Sequence, residues 1–390
     1  MRHKTRNLYT SLYCAQFLFL GVQLPFLPGW LDAKGLSVST IGWLTGVALL
    51  FRLLLGPLIV YQGEKLQEQR LLLWVMTAAM AGGVAGMMLL PSLWGIAIAG
   101  TVMIWAFGCI VPLTDAAVLH ADKAGLINYG RARGTGSFAF VVATVIGGMV
   151  ITRFGDNAAI WWLLISAVAL FGISLILPAV PRDEHATKKL SFKDASKLFR
   201  SPSFLLMLIT VGLTQGSHAT YYTFSELHWS HLGFSPTMIG VLWATGVVAE
   251  IVILFQGRWM TKRFGAVGLM LIGAVAATIR WPLTGLSPGL PVLIALQCLH
   301  AATFACTYLG SVAFLAKAVP SSLTATSMTI VASLGIGAMT GLGAVVVGQI
   351  FTREEPFISY GLMGVMAALA IVSALALAKR WDGGLIRTVG

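Results

Sequence analysis

Charge is scarce in this 390-residue chain. Only 10% of its residues are charged, against about 25% in a soluble domain. Nowhere between the apolar runs is there a polar stretch long enough for a separate soluble domain. That argues against a receptor or an enzyme accessory built around such a domain. A Gly-x-x-x-x-Gly-Lys phosphate loop is missing too, which argues against ATP-driven transport, and no enzyme signature appears. No His or Cys group takes metal-ligand spacing; His228 and His231 are read as part of an outer loop with no specific role. The expectation is therefore no enzyme activity, no cofactor and no metal. Cysteine is sparse, and Cys14, Cys109, Cys298 and Cys306 all fall inside apolar runs. They read as packing residues without a disulfide.

What the chain has in quantity is apolar sequence, at 57%. A spanning helix needs roughly 20 apolar residues, because a helix rises about 1.5 Å per residue through a hydrocarbon layer about 30 Å thick. Twelve such runs are read at 8–31, 38–61, 71–91, 94–119, 134–152, 158–180, 203–226, 237–257, 264–286, 289–316, 321–350 and 356–378. The basic start from Arg2 to Arg6 leads into an apolar run too long for a signal peptide, so it reads as an uncleaved first span.

The net charge of +12 does not indicate nucleic-acid binding, because the basic residues cluster between apolar runs, as in loops facing the cytoplasm. With the N-terminus placed inside and the spans alternated, cytoplasmic segments hold 21 of the 26 Lys and Arg residues. Lys34, Arg153 and Arg353 fall outside, and Arg52 and Arg280 lie within spans. Both termini are thus expected in the cytoplasm of a bacterial inner membrane. The loop 181–202 carries six basic residues and divides the chain into a half at 1–180 and a half at 203–390. Its stretch from Leu190 to Phe199 reads as a short surface helix.

An internal repeat supports the two halves. Gly35-Leu36-Ser37 precedes Ile41-Gly42-Trp43-Leu44, and Gly233-Phe234-Ser235 precedes Ile239-Gly240-Val241-Leu242, at a common offset of 198.

Four segments carry a family resemblance: Phe51-Arg52 with Gly56-Pro57; Asn128-Tyr129-Gly130-Arg131-Ala132-Arg133-Gly134-Thr135-Gly136-Ser137; Ala249-Glu250-Ile251; and Arg280-Trp281-Pro282 with Gln297-Cys298-Leu299-His300-Ala301. On these the chain resembles a major facilitator superfamily transporter of the phenylpropionate permease type, distantly similar to nucleoside and oligosaccharide proton symporters. The resemblance implies an all-α membrane fold of twelve helices in two pseudo-symmetric halves around a central cavity. It departs from the family where Asn128 replaces an acidic residue. It departs again in Gly63-Glu64-Lys65-Leu66-Gln67-Glu68-Gln69-Arg70, where the glycine pattern of a loop that latches the halves is degraded.

Charges within spans are costly, so they usually line a cavity and pair. Arg52 and Glu250 are 198 residues apart and hence equivalent in the repeat. Arg52 is a candidate for binding a substrate anion and Glu250 for carrying a proton; they either face each other or line separate halves. Glu250, Arg280 and His300 in successive spans resemble the coupling group of lactose-type permeases. His300 can titrate near neutrality and hydrogen-bond substrate. Substrate candidates are Arg52, Arg280, His300, Gln23, Tyr221, Tyr222 and Phe304. Proton-coupling candidates are Glu250, His300, Asp115 and Glu226. For Asp115 a pairing with Arg131 or Arg133, or a helix cap, is favoured; for Glu226, a solvated helix end. Tyr13, Gln16 and Phe17 with Pro25 and Pro28 in span one, and Gln215 to His218 in span seven, mark cavity-lining, kinked helices. His300, Phe304 and Tyr308 recur at helical spacing. The reading is a monomeric proton symporter of a small organic anion, with a drug or sugar exporter, or a nucleoside or sugar symporter, as alternatives.

Overall fold

The computed structural model describes residues 2–65, 69–178, 196–320 and 323–386. Most of the 181–202 linker, positions 190–195 of its expected surface helix, and positions 66–68 of the expected latch loop lie outside the described residues. Within them the fold is all-helical. Membrane interiors demand this, since each backbone group left unbonded in hydrocarbon costs several kcal/mol.

The helices are α1 Arg2–Ala33, α2 Val38–Lys65, α3 Gln69–Leu89, α4 Leu93–Lys123, α5 Tyr129–Phe154, α6 Asn157–Ile176, α7 Pro202–Gly216, α8 Ala219–His231, α9 Pro236–Phe255, α10 Gly257–Gly285, α11 Leu290–Cys298, α12 Thr307–Ala318, α13 Thr324–Ile330, α14 Met339–Ile350 and α15 Phe357–Arg380. Two wider π-helical segments, Ala301–Cys306 and Val331–Ala338, run within the tenth and eleventh expected spans.

Among the described residues, ten helices are long and apolar enough to cross a membrane. The second expected span meets the composition over Val38–Leu53. The seventh is divided between α7 and α8 at Ser217 and His218. Pro25 and Pro28 sit inside α1 without ending it. Gly265, with φ of 68°, interrupts α10 near its start. One reading is corrected: His228 and His231 are not on a loop but in the last turns of α8, and His228 is fully buried. The apolar run there continues past Glu226 because Leu227 and Trp229 are also core residues.

The repeat has a conformational basis. Gly35 and Gly233 both hold positive φ, 90° and 83°, a conformation glycine adopts without steric cost. In each copy the next residue's N–H reaches back to the preceding helix, Leu36 to Leu31 at 3.1 Å and Phe234 to Trp229 at 3.0 Å. In each, the serine hydroxyl then caps the following helix, Ser37 accepting from Thr40 N and Ser235 from Met238 N. Asn128 caps α5 in the same manner, its side chain accepting from Arg131 N at 2.8 Å. An amide serves that role as well as a carboxylate does.

The chain divides into two compact units, one of Met1–His185 with Tyr222–Ala244, the other of Ala186–Tyr221 with Thr245–Gly390. In the first, α1 packs on α5 and α6, and α3 on α4 and α6. The start of α9 lies close on α5: a Cβ added at Gly240 would collide with the Thr144 carbonyl oxygen. In the second unit, α10 packs on α15 and α12, and α7 on α15 and the second π-helical segment. Its core includes Phe204, Met207, Met270, Phe314 and Leu377, with Leu198 and Ile386 from the flanking segments.

Candidate functional site

The second unit holds a buried polar cluster in otherwise apolar helices. Arg280 of α10 is fully buried. Its Nη1 donates to His300 Nδ1 at 3.1 Å and to Thr303 Oγ1 at 3.1 Å, and its Nη2 donates to Gln297 Oε1 at 3.0 Å. The guanidinium carbon lies 4.4 Å from the Trp281 ring centroid and 5.0 Å from that of Tyr221. A guanidinium suits such a site because its planar fork meets several acceptors at once while its faces stack on rings.

These contacts fix the protons. Arginine only donates, so His300 Nδ1 is an acceptor and the ring proton sits on Nε2. That nitrogen faces Glu250 Oε2 of α9 at 3.6 Å. Gln297 must turn its carbonyl to Arg280, which points its NH2 the other way. Glu250 of α9, Arg280 of α10 and His300 thus lie in one cluster.

His218 extends it. Its Nδ1 lies 3.2 Å from the Thr214 carbonyl and 3.1 Å from the Gln215 carbonyl, and its Nε2 lies 3.1 Å from Thr303 Oγ1. Its ring packs edge-on against Trp281 at 4.9 Å and His300 at 5.4 Å. Trp281 donates in turn to Ser217 Oγ at 2.8 Å. Phe304 stacks on His300 at 5.5 Å and Tyr308 on Phe304 at 6.5 Å, the ring series expected on that span.

The first unit holds the other candidates. Arg52 of α2 is half-buried, its stem lying over Gly108, where an added Cβ would meet Arg52 Cδ at 2.8 Å. No carboxylate of the described residues lies within 4 Å of its guanidinium. Asp115 of α4 accepts from Tyr13 and, at 2.9 Å, from Arg133 Nη1. Of the two expected partners, Arg133 is the one that pairs, while the neighbouring Asn128 cap serves the backbone of Arg131. The pair is 42% and 29% exposed. Glu226 accepts from Ser230 at 2.9 Å and lies over Gly29 of α1. Tyr222 stacks on Trp243 at 6.0 Å, and Gln23 is buried.

Gln297, Thr303, Ser217 and Trp281 belong to the cluster without having been singled out as site residues. A signal existed: Gln297, His300, Thr303 and Thr307 place a polar residue every three or four positions along one apolar span.

The chain matches the MFS_1 like family over residues 8–362. It is 29% identical over 368 residues to the "Probable 3-phenylpropionic acid transporter" of Escherichia coli (strain K12), covering 92% of this chain and 93% of that one. It is 22% identical to the "Maltose permease" of Geobacillus stearothermophilus, covering 96% and 95%. Among solved structures, a mutant of the nucleoside transporter NupG superposes with a TM-score of 0.82 at 15% identity, covering 97% of this chain and all of that one. A D-xylose-proton symporter gives 0.67 at 16%, covering 97% and 96%. Both structures attest the fold.

Proposed function

The chain belongs to the MFS_1 like family of membrane transporters, not enzymes, and from that premise we propose that it is a proton-coupled symporter of a small organic anion bearing a ring. It works as a monomer in a bacterial inner membrane, by alternating access of twelve spans in two six-helix halves, 1–180 and 203–390, with both termini cytoplasmic. The observation that carries the proton coupling is the line from Glu250 through His300 to Arg280. A carboxylate 3.6 Å from a histidine Nε2–H, with a fixed cation behind that histidine, can take up and release one proton as the site opens and closes.

Arg52 supports the anion. A half-buried guanidinium with no carboxylate partner among the described residues is electrostatically incomplete, and a substrate carboxylate completes it by charge-assisted hydrogen bonds. Arg280 has its N–H groups on His300, Thr303 and Gln297, so it acts on substrate chiefly by holding those residues. Tyr221, Tyr222 and Phe304, with Gln23, supply rings and amide contacts. Asp115 and Glu226 are secondary carboxylates, each with a hydrogen-bonding partner of its own. The relative named for 3-phenylpropionic acid supports this substrate class.

The test is uptake into proteoliposomes with an imposed pH gradient, comparing 3-phenylpropionate with maltose, xylose and a nucleoside. Gradient-driven accumulation of the acid alone, with alkalinisation of the medium, is the expected outcome. Accumulation of a sugar or nucleoside instead overturns the anion reading, and gradient-independent uptake overturns the coupling.

A further inference from the structure

We propose that His218 and Thr303 form a hydrogen-bonded relay that ties the break in the seventh span to the Glu250, His300 and Arg280 cluster. It rests on the proton-coupled reading for its part in transport, while its geometry stands by itself.

The argument begins with the broken helix. α7 ends at Gly216, and groups of the break itself take up its last carbonyls: Leu213 accepts from Ser217 N at 3.0 Å, Gln215 from His218 N at 3.1 Å and Thr214 from Ser217 Oγ at 2.7 Å. His218 Nδ1 adds a further donor, lying 3.2 Å from the Thr214 carbonyl and 3.1 Å from the Gln215 carbonyl. Carbonyls only accept, so Nδ1 carries the proton and Nε2 of the neutral ring is left as an acceptor. The group facing Nε2 is the Thr303 hydroxyl, at 3.1 Å. His218 and Thr303 are both fully buried.

Thr303 is the bistable member. Its oxygen accepts from Arg280 Nη1 at 3.1 Å, and its single proton has two acceptors within reach. One is His218 Nε2 at 3.1 Å; the other is the His300 carbonyl at 3.3 Å. With a neutral His218 the hydroxyl donates to Nε2. A proton arriving on Nε2 turns that nitrogen into a donor. The hydroxyl must then rotate to the His300 carbonyl, and its oxygen takes a bond from His218 beside the one from Arg280. Both donors are then cationic and share one oxygen, which loosens Arg280 from Thr303. The proton stays on the ring, and no covalent bond other than N–H is made or broken. The charged and titratable groups around the ring are Arg280 from α10, His300 with Glu250 beyond it, and Tyr221 from α8, while Tyr360 of α15 stacks on Trp281. The ring thus sits where proton load on the cluster and the geometry of the span-seven break can be read by one residue.

The experiment is the pH dependence of thermal unfolding of the purified full chain, from about pH 3 to 8. Its variants are Thr303→Val, Thr303→Ser, His218→Asn and the double Thr303→Val/His218→Asn. Asparagine keeps an amide donor for the α7 carbonyls and lacks the Nε2 acceptor; valine keeps the β-branch and lacks the hydroxyl. The wild type is expected to show a pH step in melting temperature that is absent from His218→Asn, which lacks the titrating ring, and from the double variant. Thr303→Val moves that step by on the order of one pH unit, and Thr303→Ser leaves it in place. Parallel wild-type and His218→Asn curves, a step that Thr303→Val leaves in place, or one that Thr303→Ser moves as far as valine does overturns the relay. Should His218→Asn not fold, the valine and serine variants at 303 decide alone. The uptake assay in proteoliposomes separates the two readings. An intact step without proton-driven uptake overturns the symport and leaves the relay, and the reverse pattern overturns the relay.

Discussion

Replacing Arg280 with methionine removes the charge at the centre of the second unit while roughly keeping the side chain's length. The guanidinium donates three hydrogen bonds, to His300, Thr303 and Gln297. Bonds from a charged donor are worth about 1.5–3 kcal/mol each. Its faces add the Trp281 and Tyr221 contacts, at about 0.5–2 kcal/mol each. Against this stands the desolvation of a fully buried cation, several kcal/mol that methionine does not incur. Removal also strands three buried acceptors. The balance is a loss of about 2–5 kcal/mol, in the range for deleting one member of a buried charged network. For a unit of this size that is roughly 5–15 °C in melting temperature, measurable by thermal unfolding in detergent. Arg280→Lys falls between, because an ammonium keeps the charge but cannot fork toward Gln297 and the His300–Thr303 pair together. A methionine variant that melts at or above the wild type refutes the reasoning. It would mean that the three bonds do not offset the buried charge, and that the arginine is held at the expense of stability.

Three further outcomes are expected. Glu250→Gln abolishes gradient-driven accumulation of 3-phenylpropionate and spares exchange in counterflow; unchanged accumulation removes the carboxylate from coupling. Arg52→Ala weakens binding of 3-phenylpropionate at least tenfold by titration calorimetry, the loss of one charge-assisted contact of about 1.5–3 kcal/mol; equal affinity leaves the anion site elsewhere. Asp115→Asn costs under about 1 kcal/mol in thermal unfolding, because the Asp115–Arg133 pair is partly exposed; a larger loss shows that Asp115 holds α1, α4 and α5 together.

Much of the architecture is legible in the chain because a bilayer restricts what helices can look like. The length and composition of apolar runs set the helices within a few residues. The glycine and serine of the 35–37 and 233–235 turns mark two helix junctions whose backbone angles then agree. Glu250, Arg280 and His300 stand out because charge in an apolar run is expensive. The polar stripe of Gln297, His300, Thr303 and Thr307 is visible, but the role of Thr303 is not, because threonine hydroxyls in helices commonly bond their own backbone, as Thr307 does to the Thr303 carbonyl, and nothing in composition separates the two uses. The partner of Asp115 stayed open between Arg131 and Arg133, since both lie in the first turns of α5 and only the packing of Tyr13 and Phe17 beside Arg133 selects it. The placement of His228 failed because an outer loop and a helix end rich in polar residues read alike there.

The π-helical segment Ala301–Cys306 begins directly after His300 and contains Thr303. Such a segment takes up one residue more than an α-helix needs over the same turn, and it is often found at functional sites. The extra residue is absorbed locally, so Leu293 before it and Phe314 after it remain in the core, both fully buried. Chain length and packing are therefore decoupled at this point. Deleting one residue between 301 and 306 would close the wide turn into ordinary helix while the flanking faces kept their neighbours. The polar stripe of this span can accordingly be edited by insertion and deletion as well as by substitution. Relatives with different cargo are expected to show one-residue gaps beside the histidine, where a membrane helix would otherwise tolerate none.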